Sequence, residues 1–111
     1  MGKPMSTNVE AEKQEIRNQL RDFFRKNMIE IDDDPDYIGV QGFLSGLEVS
    51  TEISISVSLG EKRYLFIDIE KDNINIIFKK SFEKNNADVL KISRSGLIRV
   101  YYFNNTLFFC F

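Results

Sequence analysis

An α+β fold is the class this sequence predicts: one N-terminal amphipathic helix packed on a curled antiparallel β-meander of six to seven strands. Three features predict it. Between Leu47 and Leu59, aliphatic residues (Leu47, Val49, Ile53, Ile55, Val57, Leu59) alternate with Glu48, Ser50, Glu52, Ser54, Ser56 and Ser58. That period of two marks a strand with one face in the core, because successive side chains point to opposite sides. Ile16, Leu20, Phe23, Phe24 and Met28 recur instead at helical spacing and make a single apolar stripe. Finally, short polar turn segments punctuate residues 37–111 at intervals that keep the aliphatic set of each hairpin on one side. The implied division is a single domain over 1–111, with a flexible tail at 1–6, a helix at 7–28 and the meander at 37–111.

Thr7-Asn8-Val9-Glu10 has the form of a capping box and places the helix start there. Its end is assigned to Asn27 or Met28. The run Asp32-Asp33-Asp34-Pro35-Asp36 then blocks continuation, because proline disfavours helix at the preceding residue and lacks a backbone donor. Turns are expected at Ser45-Gly46, at Glu61-Lys62-Arg63 (aligning Leu59 with Leu65) and at Lys71-Asp72 (aligning Ile69 with Ile74 and Leu65 with Phe78). Further turns are expected at Arg94-Ser95-Gly96, pairing Ile92 with Ile98, and at Asn104-Asn105, pairing Tyr102 with Leu107 and Val100 with Phe109. Residues 88–93 read as strand or short helix. A helix of 20 residues is about 30 Å long and about 10 Å across. It cannot cover a flat sheet of seven strands, so the sheet is expected to curl around it. The final strand, Thr106–Phe111, has an apolar edge without a guarding proline or lysine. It is therefore expected to lie between two neighbours or to pair with another chain, with Phe108 on the outer face.

Composition excludes several function classes. The net charge of −2 lacks the basic excess of a domain built to neutralise phosphates. Histidine is absent, which removes the commonest general base and metal ligand. Cys110 is the only cysteine, so neither an internal disulfide nor a cysteine-ligated zinc site can form, and it reads as a small core residue. No stretch approaches the roughly 20 apolar residues of a membrane span, and the start shows no apolar signal segment. The opening Met-Gly-Lys-Pro-Met-Ser matches the permissive myristoylation pattern, for which coincidence is the plainer reading. No phosphate loop, dinucleotide fingerprint, nucleophile elbow or zinc-protease motif occurs. The best chemical constellation is Ser56, Asp68 and Asn75 on adjacent strands. A Ser–Asp pair with no base beside it is poor nucleophilic machinery, so no enzyme activity, catalytic residue, cofactor or metal is expected.

Two surfaces remain as partner-binding candidates. Asp32, Asp33, Asp34 and Asp36 form an acidic patch, which a solvated loop would also explain. An EF-hand does not: the sixth position is Tyr37 and the twelfth Phe43. Tyr64, Phe66, Ile77, Tyr101, Phe103 and Phe108 would place large apolar groups on the sheet's outer face, where a partner or a covering loop is needed. Lys13, Arg17, Arg21 and Arg25 make a basic row on the helix, interleaved with acids as a solvated face would be. The expected function is a small cytosolic protein-binding module acting by occlusion, an inhibitor or immunity-type protein facing a partner of basic character; a homodimer is a further option. The alternatives are a nucleic-acid-binding domain using the basic row with stacking aromatics, and a small-molecule carrier with its ligand between helix and sheet.

Overall fold

The computed structural model describes residues 5–49, 53–80, 87–94 and 99–111. Helix α1 spans Met5–Lys26, so Thr7 lies inside it rather than at its cap. Once a helix is nucleated, each added residue gains a backbone bond, and Met5 and Ser6 extend it past the capping pattern. The acidic run does not end the helix. Met28 does, with φ of 60°. Ile29 N–H donates to Phe24 O (2.9 Å) and Met28 N–H to Arg25 O (3.1 Å), the bonding pattern of a Schellman motif. Its usual apolar contact is available too, since Phe24 and Ile29 are both buried. Glycine normally occupies the left-handed position, which is why a methionine there gave no stop signal.

Among the described residues, nine strands follow: β1 Ile31–Asp34, β2 Tyr37–Gln41, β3 Phe43–Val49, β4 Ile53–Gly60, β5 Arg63–Ile69, β6 Asn73–Lys80, β7 Ala87–Ser93, β8 Arg99–Phe103 and β9 Thr106–Cys110. They form two antiparallel sheets rather than one meander of six to seven strands. Sheet A has the order β1-β2-β9-β8 and sheet B the order β3-β4-β5-β6-β7. Both sheets and the helix contribute to one buried cluster: Leu20, Phe23 and Phe24 from α1, Ile38, Val40, Leu107 and Phe109 from sheet A, and Val57, Leu65, Ile67, Ile74 and Ile76 from sheet B. Two smaller sheets sharing a core meet the covering problem that one helix over one wide sheet could not. Side chains of the helix and of both sheets meet in this cluster.

Two of the expected registers hold. Lys71-Asp72 joins β5 to β6 with Ile69 opposite Ile74 and Leu65 opposite Phe78. Asn104-Asn105 joins β8 to β9 with Tyr102 opposite Leu107 and Val100 opposite Phe109. Both asparagines have positive φ, 53° and 62°, as a two-residue hairpin turn of the right twist requires. Three expectations change. Ser45-Gly46 is no turn: β3 runs through it with a bulge between Leu44 and Gly46 that keeps Leu44 opposite Val57 and Leu47 opposite Ile55. The β4–β5 turn is Glu61-Lys62, with Val57 opposite Leu65 and Gly60 opposite Arg63. Positive φ at Gly60, Glu61 and Lys62 tightens that hairpin and shifts its register by two residues, so the same faces stay inward. Residues 88–93 are strand, but among the described residues β7 pairs with β6 alone, and β8 joins the other sheet; Ser95, Gly96 and Ile98 of the expected turn and its pairing lie outside the described residues.

The switch between sheets occurs at Gly42. This residue is buried, and a Cβ there would come within 2.3 Å of Val57 Cγ1 and 2.9 Å of Ser58 O. Tyr102 clamps the crossover. Its hydroxyl accepts from Leu44 N–H (3.3 Å) and has the Gly42 carbonyl (3.0 Å) and Asn105 Oδ1 (3.1 Å) as acceptors for its proton. At the helix end, Asn27 Nδ2 (2.9 Å) and Lys26 Nζ (3.0 Å) meet Asp88 Oδ2 on β7. Burial pushes the Asp88 carboxyl up, but these donors outweigh it and hold its pKa below the ordinary carboxylate value. This tie therefore contributes stability above that value and loses it as pH falls.

Candidate docking face

Strand alternation divides the acidic run. Residues 31–34 form β1, a paired strand rather than the loop expected, with Asp33 opposite buried Ile38, Asp32 opposite Gly39 and Asp34 opposite Tyr37. Asp33 thus turns to the helix side, where it pairs with Arg17 and, at 3.7 Å, with Arg25. Asp32 and Asp34 take the opposite face. Asp36 sits in the β1–β2 turn, its N–H donating to Asp34 Oδ1 (3.0 Å) and its carbonyl accepting from Phe111 N–H (2.9 Å).

The Asp33 pairing alters the reading of the basic row. Arg17 also donates to Pro35 O (3.4 Å) and lies 5.5 Å from the Phe111 ring centre, and its side chain is only 13% exposed. Arg17→Ala is expected to cost about 1–2 kcal/mol, more than an exposed charge would, because packing and a partly desolvated pair are lost together. Chemical denaturation of the variant checks this; a loss no larger than that of Lys13→Ala would show the tie to be inert. Two members of the basic row, Arg17 and Arg25, thus pair with Asp33.

On the outer face of sheet A the aromatics form a ladder. Phe108 lies opposite Gly39 on one side and opposite Tyr101 on the other. Its ring meets Tyr37 edge-on at 5.2 Å and stacks on Tyr101 at 5.1 Å. Arg99 covers Tyr101 with its guanidinium 5.5 Å from the ring centre, and Phe103 beyond it is 66% exposed. Cys110 belongs to this same side, half-buried between Tyr37 and Arg99, and not to the core as expected. Its position in the alternation, one residue after inward Phe109, decides that.

Tyr37 joins the acids to the ladder. Its hydroxyl donates to Asp32 Oδ2 at 3.0 Å. That hydrogen bond, then desolvation and the Asp32 and Asp34 charges, raise its pKa above the ordinary tyrosine value. The neutral form is the one favoured, so the stabilising contribution is present below about pH 10 and is lost as pH rises through the folded value. In an ultraviolet titration, Asp32→Asn is expected to bring one tyrosine transition to lower pH. An unchanged titration curve would mean that the bond does not hold in solution.

Next to Tyr37 and Phe108 opens a groove of about 560 Å³, with Gly39, Gln41 and Thr106 from sheet A, Glu30, Ile31 and Asp32 from the β1 side, and Leu59 and Arg63 from the β4–β5 hairpin. Sequence reasoning missed it. Its walls come from segments more than 70 residues apart, with Met28 and Phe108 both lining it, and only the pairing of β2 with β9 brings them together.

The other candidates lie apart from this face. Phe66 is opposite Ile77, as expected, and Tyr64 is 6.5 Å from Phe66, but all three belong to sheet B, with Lys79 5.7 Å from the Phe66 ring centre. The shifted β4–β5 register puts Ser56 opposite Phe66 and Ser54 opposite Asp68. It is accordingly Ser54 Oγ that donates to Asp68 (2.9 Å), with Asn75 opposite the same aspartate. Of the expected docking residues, the fold brings together Asp32, Asp34, Tyr101, Phe103 and Phe108. It places Asp33, Asp36, Tyr64, Phe66 and Ile77 elsewhere. Among the described residues, no group of three or more potential metal ligands is gathered, and no helix is long and apolar enough to cross a membrane.

Comparison with protein-family models, with curated proteins and with solved structures finds no match to this chain.

Proposed function

We propose that this chain is a small cytosolic protein-binding module that acts by occlusion, covering a basic surface of a partner protein as an inhibitor or immunity-type protein does. The observation that carries the reading is the outer face of sheet A, where Tyr37, Phe108 and Tyr101 form a contiguous ring ladder beside Asp32 and Asp34. Aromatic rings at the centre of a patch supply the desolvated contact area that interface cores use. Carboxylates at its margin speed encounter with a basic partner and fix its orientation. The ladder stands on three hydrogen-bonded strands and needs little ordering on binding, which favours affinity.

The test is a stoichiometric complex isolated from cells and its dependence on this face. Tyr101→Lys combined with Phe103→Lys is expected to abolish it. Asp32→Asn with Asp34→Asn should slow association and flatten its salt dependence, and Phe66→Lys on sheet B should leave binding intact. Association that ignores Tyr101 and Phe103 but fails with Phe66→Lys would move the docking face to sheet B and overturn the assignment.

A further inference from the structure

Resting on the docking-face reading, we infer that the groove beside Gly39 is a receptor for one arginine side chain carried on a loop of the partner. Three observations point to a guanidinium. The first is the unequal treatment of neighbouring acids. Asp33 is matched by two arginines, whereas Glu30 and Asp32, both lining the groove, have no cation within 4 Å among the described residues. Among the described residues the one cation in the lining, Arg63, is held by its bond to the Met28 carbonyl at 3.1 Å. Two carboxylates against one guanidinium leave the groove with an excess negative charge.

The second observation is the nature of the walls. Tyr37 and Phe108 both face the groove, and an aromatic ring within about 6 Å attracts a cation. The same ladder already holds one guanidinium, that of Arg99 over Tyr101 at 5.5 Å. The third is the space itself. At Gly39 even a Cβ would approach Thr106 Cγ2 to 3.2 Å and Tyr37 Cε1 to 3.5 Å, so the absence of a side chain there keeps the floor open. The volume of about 560 Å³ falls in the range of roughly 300–1,000 Å³ that small ligands occupy. It accommodates a side chain together with the turn that presents it. Arginine suits this site better than lysine because a planar fork can stack on a ring and bridge two carboxylates at once.

The experiment titrates the full chain with acetyl-Gly-Arg-Gly-amide and with its citrulline counterpart, which keeps the shape and loses the charge, following backbone amide shifts by NMR. Saturable shifts centred on Gly39, Thr106 and Phe108 are expected with the arginine peptide. Binding should weaken about tenfold or more, equivalent to about 1.4 kcal/mol, for citrulline. A similar loss is expected for Glu30→Gln with Asp32→Asn, both exposed positions whose exchange leaves the core untouched. Equal binding of the two peptides, shifts centred elsewhere, or no shifts at millimolar peptide would overturn the inference. The assay needs no protein partner, so its failure leaves the docking-face test standing. Conversely, peptide binding at Gly39 alongside a cellular complex that ignores Tyr101 and Phe103 would sink the docking-face reading alone.

Discussion

Removal of residues 108–111 is expected to abolish cooperative folding. Strand β9 lies between β2 and β8, so the deletion strips three register pairs from each side: Gly39, Ile38 and Tyr37 lose Phe108, Phe109 and Cys110, as do Tyr101, Val100 and Arg99. Phe109 is 1% exposed and its ring centre lies 5.6 Å from that of Phe24. Truncating a buried phenylalanine alone costs about 3–5 kcal/mol, and a whole domain typically has only about 5–15 kcal/mol to lose. The deletion also turns β2 and β8 into facing, unpaired edges, which invites aggregation. Circular dichroism and soluble yield of the truncated chain check this. A soluble product with the parent melting temperature would contradict the central placement of β9.

Phe24→Ala carries the next largest effect, about 4 kcal/mol by the usual cost of emptying a ring-sized core site. Phe24 has no exposed surface and contacts Phe23 edge-on at 5.8 Å as well as Phe109. It therefore joins helix to sheet A, and its carbonyl closes the Schellman turn. Denaturant unfolding should show a lower midpoint with little change in slope. A loss comparable to that of Arg17→Ala would mean that the helix is held by its charges rather than by its apolar stripe.

Local chemistry was legible wherever a short-range signal was also the one that tertiary contacts reward. The apolar stripe through Ile16, Leu20, Phe23 and Phe24 is the buried face of α1. Lys71-Asp72 and Asn104-Asn105 join adjacent strands in the expected registers, because a two-residue hairpin leaves the alternation one way to keep Ile67 and Val100 inward. Where two local solutions compete, the sequence pattern misleads. Ser45-Gly46 has good turn residues, yet the chain changes sheets at Gly42, the position where any Cβ would strike Val57 and Ser58. Met28 ends the helix with a left-handed backbone that its side chain does not advertise.

The sequence by itself determined the class, one amphipathic helix on antiparallel strands, and the inward residues of most strands, because both follow from periods of 3.6 and 2 residues. It also determined that Phe108 lies on the outer face and Leu107 and Phe109 in the core. Only the tertiary structure decided that the strands form two sheets, that β9 enters between β2 and β8, and that Asp33 is neutralised by helix arginines while Asp32 and Asp34 face the ring ladder. The physical reason is range. Alternation assigns each residue a side of its own strand, but which strands become neighbours depends on how distant apolar faces cover one another.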